Sequence, residues 1–301
     1  MFDLIIIGAG PAGITAAIYA ARKRIETLIV TKDIGGQAAL SGDVENYTGY
    51  QFITGPELAL KFEEHLRKFS LALRENEAVE ELKKEADLIR VKTDKGLYEA
   101  RAVIIASGKR SRELAVRGEK EFKNKGLTYC ATCDAPLFSG KDVAVIGGGN
   151  SALDAAIQLI KIADKIFIIN IAANLTGDTI MQEIVKANPK VTVLNNAQVA
   201  AVLGDKMVNA IKIKREGKEQ LLAVSGVFVE IGLISNSEFA QDVEKNELGE
   251  IRVDSYNKTN IPGIFAAGDV SDVPEKQIVI AAGEGSKAAL SVFKYLIYNS
   301  A

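Results

Sequence analysis

Scarcity narrows what this chain can be. It has two cysteines and one histidine in 301 residues, and its 37 basic and 39 acidic side chains leave a formal net charge of −2. A balance so close to neutral offers no electrostatic footprint for nucleic acid or an anionic membrane, so neither is expected as a partner, and any phosphate binding must be local. The apolar run in the opening segment MFDLIIIGAG is too short to span a bilayer, lacks a basic n-region and leads straight into a glycine-rich turn. It reads as a strand, and the cytoplasm is the expected location. Two cysteines cannot build a disulfide framework and are too few for a closed structural zinc site. They stand three apart in Cys130-Ala131-Thr132-Cys133, a spacing that fits a redox pair and also fits two small buried residues. The sole histidine, His65, lies among Glu63, Glu64 and Arg67 on a solvated helical face. It receives no role, and no metal site is expected.

The composition is that of a globular protein, 48% apolar and 25% charged, and the length suits two compact domains. Alternation and apolar runs give a strand over Asp3 to Gly8, a glycine turn, a helix over Ile14 to Arg22 and a strand over Thr27 to Val30. The same unit returns later, with strand Asp142 to Ile146, turn Gly147 to Ala152, helix Leu153 to Ile160 and strand Lys165 to Ile169. In register, Gly8 matches Gly147, Gly10 matches Gly149, and Gly13 matches Ala152. The first glycine permits the turn, the second lets backbone approach a pyrophosphate, and the third small residue lets helix pack on strand. The helix start then attracts the anion. An ordinary glycine turn is the bland alternative, but each copy here follows a strand and opens a helix, so two dinucleotides are expected. The remaining pattern is mixed α/β. A helix is expected near Pro56 to Phe69 and another over Asp178 to Ala187. Strands are expected near Leu88 to Thr93, Tyr98 to Ala100, Ala102 to Ala106, Val191 to Leu194, Met207 to Lys214 and Gly226 to Val229.

A set of motifs in fixed order points further: GAGPAG, GGQ at Gly35 to Gln37, ENYTG at Glu45 to Gly49, CATCD at Cys130 to Asp134, GGGNSA, and GIFAAGDV at Gly263 to Val270. Together they resemble the low-molecular-weight thioredoxin reductases. VFVEIGLISN at Val227 to Asn236 and the stretch from Val273 to Leu296 are more similar to the reductase portion of the alkyl hydroperoxide reductase flavoprotein. The resemblance implies an α/β fold of two Rossmann-like three-layer dinucleotide-binding domains, of the pyridine nucleotide-disulfide oxidoreductase type. Residues 1–110 and 246–301 would form an FAD domain, with a nicotinamide and disulfide domain, 111–245, inserted between. Hinges are expected near Val116 to Gly118 and Asn246 to Gly249.

By the same resemblance, FAD would be held by Gly8, Gly10, Pro11, Ala12, Gly13, Gly35, Gly36, Gln37, Asn46, Gly108, Asp269, Gln277 and Ile278. NADH or NADPH would be held by Gly147, Gly149, Asn150, Ser151, Ala152 and Asn170. Cys133 would face the flavin, Cys130 would attack a thioredoxin- or glutaredoxin-like partner, and Asp134, which alone could also be read as a helix cap, would handle the proton. A homodimer is implied as well. Three positions depart from the pattern. The segment Ile168 to Ala173 has no basic cluster for a 2′-phosphate and carries Asn170 where an acid would grip both ribose hydroxyls, so NADH is favoured over NADPH. Lys32, with Asp33 beside it, stands where an acid would hold the FAD ribose, and Ala135 replaces a glycine after the disulfide. Rival readings keep the flavin and the cysteines with ferredoxin as donor, or make the chain a non-enzymatic flavin redox sensor. A ferredoxin–NADP reductase of related fold would lack the CATC pair.

Overall fold

A computed structural model describes residues 1–41 and 43–298, the side chains of Asp43, Thr132 and Cys133 excepted. The chain forms two compact units, one from Met1–Arg110 with Ile234–Ala301 and one from Ser111–Leu233.

The first unit is built on a seven-stranded sheet. Its parallel part runs in the order Ala72–Arg74, Thr27–Ile34, Phe2–Ala9, Leu97–Ile105, Ile264–Ala266. Phe2–Ala9 takes the middle because both of its faces are apolar, as a doubly covered parallel strand requires. Leu4 and Ile6 enter one core with Ile14, Ala17, Ala288 and Val292, while Ile5 and Ile7 enter the opposite core with Leu82, Val91 and Ala240. Helices Pro11–Arg22 and Ile278–Tyr298 cover the first face. Each fully enclosed Ile or Val contributes roughly 1.5–3 kcal/mol. Gly285 lets the two helices touch backbone to backbone, since a Cβ there would run into the Ala12 carbonyl oxygen. Helix Gly55–Leu66 begins in a capping box, in which Thr54 N–H donates to Glu57 Oε2 at 3.1 Å and Glu57 N–H donates to Thr54 Oγ1 at 3.4 Å.

The second unit repeats the plan. Its five-stranded sheet is parallel throughout, in the order Leu127–Thr128, Gly226–Val229, Asp142–Ile146, Lys165–Ile169, Val191–Leu194. Helices Asn150–Ile160 and Thr179–Ala187 pack on one face through Leu153, Leu159 and Val185. A three-stranded antiparallel sheet, Ala197–Gly204, Val208–Arg215 and Lys218–Ala223, buries Val199, Ile211 and Ile213 with strand residues Ala144 and Ile169 in the other core. Among the described residues no helix is long and apolar enough to cross a membrane.

Three details differ from the sequence reading. The strands expected over Tyr98 to Ala100 and Ala102 to Ala106 are one strand, Leu97–Ile105, whose two halves pair with different neighbours, Leu88–Thr93 and Ile264–Ala266. The second division between units falls at Leu233/Ile234, not at 245/246, because Ala240, Val243 and Phe239 pack into the first unit's core. Both expected hinges also lie inside a unit. Val116 to Gly118 is fixed in the second unit, where Val202 N–H donates to Arg117 O at 2.9 Å and a Cβ on Gly118 would strike Val202 O. Asn246 to Gly249 is a tight turn of the first unit, closed by Gly249 N–H to Asn246 O at 3.0 Å.

Candidate functional site

In the first unit the three glycines of the opening turn do different work. Gly8 has φ +103° and no room for a Cβ against Ala106 O, and a Cβ on Gly13 would meet Gly8 O. Those two are demanded by the turn and by helix-on-strand packing. Gly10 has an extended backbone and nothing within 4 Å of where its Cβ would stand. No side chain caps the helix that begins at Pro11. A glycine that packing does not require, at the uncapped start of a helix, fits a pyrophosphate drawn against the backbone. This is the observation by which the residues present suit FAD.

Other expected residues gather at this turn. Gly35 N–H donates to Ala9 O at 2.8 Å, and a Cβ on Gly36 would lie 3.3 Å from Gly10 Cα. Gln37 opens on an exposed face beside them. Gly268, at φ +75°, has no room for a Cβ, which would come within 2.9 Å of the Ala12 side chain, and Asp269 follows it in the chain. Burial raises the Asp269 pKa, while Lys276 and Lys109 oppose the rise. Asn46 Nδ2 donates to Gln277 Oε1 at 3.1 Å, joining two positions expected to hold FAD that lie 231 residues apart. Ile278 begins the last helix, and Gly108 has φ +62° with open space around it. Lys32 and Asp33 are both exposed at the end of Thr27–Ile34.

Sequence reasoning missed one feature of this unit. Glu250 accepts from Lys109 Nζ at 2.6 Å and Asn246 Nδ2 at 2.6 Å, and Lys276 Nζ lies 3.1 Å from it. Burial alone would raise its pKa, but these contacts prevail and hold it at about 2. Both lysines come from other segments of the chain, so no local pattern announces the cluster.

In the second unit Gly147 has φ +138° and abuts Glu230 O, and Ala152 is fully buried beneath the turn. Gly149 precedes Asn150–Ile160 with no side-chain cap and only Thr176 Oγ1, at 3.8 Å, near its Cβ direction. The turn thus reproduces the open middle glycine of the first unit. Ser151 is exposed, whereas Asn150 Oδ1 accepts from Asp178 N–H at 2.7 Å and ties the start of its helix to the cap of Thr179–Ala187.

Asn170, expected at the nicotinamide ribose, is 3% exposed and its amide is bonded within the protein. Nδ2 donates to Asn195 Oδ1 at 2.8 Å, Asn174 O at 2.9 Å and Ala172 O at 3.1 Å, and Oδ1 accepts from Ala172 N–H at 3.3 Å. Asn170 shapes the loop from Ile171 to Asn174, because buried amide groups must be paired and the carbonyl oxygens of that loop are the nearest partners.

Cys130 is disulfide-bonded, and Cys133, the only other cysteine of the chain, has its side chain outside the described residues. The segment Ala131–Asp134 is one helical turn after strand Leu127–Thr128. The Thr128 hydroxyl accepts from Cys130 N–H at 3.1 Å and donates to Asp134 Oδ2. Ala135, at the departed glycine position, is buried. Behind Cys130, Tyr129 donates its hydroxyl to Glu119 Oε1 at 2.7 Å, and buried Glu119 also accepts from Leu114 and Ala115 N–H at 2.6 and 2.7 Å. Glu230, also unforeseen, links the two features of this unit. Its main chain lies against Gly147 and its carboxyl bonds the Ala131 backbone. Burial raises its pKa to about 7, with nearby Asp154 adding to the rise and the Ala131 bond opposing it.

The geometry has counterparts in known proteins. A family profile described as pyridine nucleotide-disulphide oxidoreductase matches residues 2–285. The chain is 43% identical over 303 residues to an NADH dehydrogenase of Ferdinandcohnia aciditolerans, covering 99% of this chain and 58% of that protein. It is 42% identical over 308 residues to an alkyl hydroperoxide reductase component of Pseudomonas aeruginosa, covering 100% of this chain and 59% of that protein. The chain thus spans less than three fifths of the length of these curated relatives. A thioredoxin reductase of Lactococcus lactis superposes with a TM-score of 0.82 at 33% identity, over 99% of this chain and 100% of that one.

Proposed function

The chain belongs to the pyridine nucleotide-disulphide oxidoreductase family, and from that premise we propose that it is a flavin-dependent disulfide reductase, fed by a nicotinamide dinucleotide, that reduces a thioredoxin- or glutaredoxin-like protein. The observation that carries this reading is Glu230, which ties the open glycine turn and the disulfide segment of the second unit together through one residue.

Bound FAD supplies two-electron chemistry between a reduced nicotinamide and a disulfide. The protein's own residues bind, orient and exchange. Gly10 and the uncapped helix start would take the FAD pyrophosphate, with Asp269 beside it and the Asn46–Gln277 pair toward the flavin ring. Gly149 and the start of Asn150–Ile160 would take the nicotinamide dinucleotide. In the reduced protein the Cys130 thiolate attacks the partner's disulfide, and Cys133 then attacks Cys130, which closes the internal bond again and frees the partner. Asp134 takes and returns the protons.

NADH is the favoured donor, since the segment Ile168 to Ala173 offers a 2′-phosphate no cation. The commitment of Asn170 to its own loop also favours a second reading, in which ferredoxin replaces the nicotinamide. Anaerobic titration of the FAD-bound protein with NADH, NADPH and reduced ferredoxin, followed by flavin absorbance, separates the donors. Bleaching by NADH at lower concentration than by NADPH is expected. Bleaching by ferredoxin alone would establish the second reading, and a protein that cannot be loaded with FAD would overturn both.

A further inference from the structure

Thr128 is buried, polar and unused by the chemistry described so far. It sits at the end of Leu127–Thr128, two residues before Cys130, where its hydroxyl is fixed at both ends: it accepts from Cys130 N–H at 3.1 Å and donates to Asp134 Oδ2. A hydroxyl carries one hydrogen, so with that hydrogen given to Asp134 and a lone pair taken by the Cys130 amide, its orientation is determined. Among the described residues the Asp134 carboxyl is held through Oδ2 alone, which assigns proton transfer to Oδ1. Asp134 N–H donates to Cys130 O at 3.2 Å, so the three residues form a closed ring of contacts around the reactive segment.

We propose that Thr128 is a positioning residue for disulfide exchange, holding the Asp134 carboxyl where it can protonate the sulfur that leaves the partner. This rests on the disulfide-reductase reading given above. The exchange balances without any further oxidant. The Cys130 thiol gives its proton to Asp134 and attacks a partner sulfur. The Cys130–partner bond forms, the partner's own S–S bond breaks, and the departing sulfur takes the proton from Asp134. The Cys133 thiol then gives its proton to Asp134 and attacks the Cys130 sulfur, and the second partner sulfur leaves with that proton. The internal pair is oxidised by two electrons and the partner disulfide is reduced by two.

A general acid matters in proportion to how badly the leaving group needs its proton. An alkyl thiolate is a poor leaving group, whereas an aromatic nitrothiolate is stable as the anion and leaves readily. The test uses full-length protein reduced with dithiothreitol, freed of reductant and mixed in stopped flow with cystamine or with 5,5′-dithiobis(2-nitrobenzoate). In Thr128→Val the ratio of the cystamine rate to the aromatic rate should fall about tenfold, a fraction of the whole contribution of general acid catalysis. Thr128→Ser should restore it, and Thr128→Val in an Asp134→Asn background should lower the ratio no further than Asp134→Asn alone. A circular-dichroism melt of the same sample reports that the variant is folded. An equal effect on both disulfides, or additive effects of the two substitutions, would overturn the assignment to Thr128 while leaving the reductase reading intact. A wild-type dithiol protein inert toward both disulfides would overturn the reductase reading, and this inference with it.

Discussion

Replacing Glu230 by glutamine should abolish a specific part of the pH dependence of stability. An ordinary glutamate titrates near 4.5, and burial, reinforced by Asp154, pushes this one to about 7. Its native pKa therefore lies above its unfolded value, so between those two pH values the native state binds more protons than the unfolded chain. Stability then falls as pH rises through that window and levels off above it. At roughly 1.4 kcal/mol per pH unit, the interval of about 2.5 pH units amounts to about 3 kcal/mol. Glutamine mimics the protonated acid and can still accept from Ala131 N–H, so it keeps the contact without the charge. Wild type and Glu230→Gln should have matching stability near pH 4.5. By pH 8 the variant should be about 3 kcal/mol more stable, a gain of about 6 °C in melting temperature for a chain of this size. The assay is a pair of urea and thermal unfolding series on the oxidised protein from pH 4.5 to 8, read as the difference between the two proteins so that all other titrations cancel. Parallel curves across that range would refute the reasoning, because they would mean the carboxyl is hydrated well enough to titrate as an exposed one does.

Two further substitutions test the turns. Gly10→Ala should melt within about 0.5 kcal/mol of wild type, since its Cβ meets nothing, yet bind FAD at least roughly tenfold more weakly; Gly13→Ala should lose about 1–3 kcal/mol through overpacking against Gly8 O, and absorbance after gel filtration together with circular-dichroism melts separates the two effects. Asn170→Asp should cost about 1–3 kcal/mol by placing a carboxylate among the oxygens of Ala172, Asn174 and Asn195, and should raise KM for NADH and NADPH alike without reversing their order, which melts and steady-state kinetics would show.

What the sequence disclosed was whatever depends on close neighbours. Gly8, Gly13 and Gly147 stand where the backbone has no alternative, and the period of the two βαβ units follows from local apolar runs. The antiparallel strands were harder. Val79–Glu85, reading VEELKKE, and Lys218–Ala223, reading KEQLLA, consist largely of helix-favouring residues and are strands because Leu82 and Leu222 fill sheet cores. The contacts that set charge were invisible for another reason. Glu250 meets Lys109 across 141 residues, and Glu230 acquires its raised pKa from burial that no spacing rule encodes. The bonds of Asn170 were equally hidden, because its amide reaches Asn195, 25 residues on, as well as the Ala172 and Asn174 carbonyls of the adjoining loop.

The division of the chain also has a consequence for its biosynthesis. The second unit is one uninterrupted segment, whereas the first is assembled from both ends of the polypeptide. On the ribosome, Ser111–Leu233 can collapse as soon as it emerges, while strand Leu97–Ile105 and helix Pro11–Arg22 must wait for Ile264–Ala266 and then Ile278–Tyr298 to arrive. During that interval the alanine-lined face of the first helix is uncovered, which makes premature termination in this stretch more damaging to the host unit than to its guest.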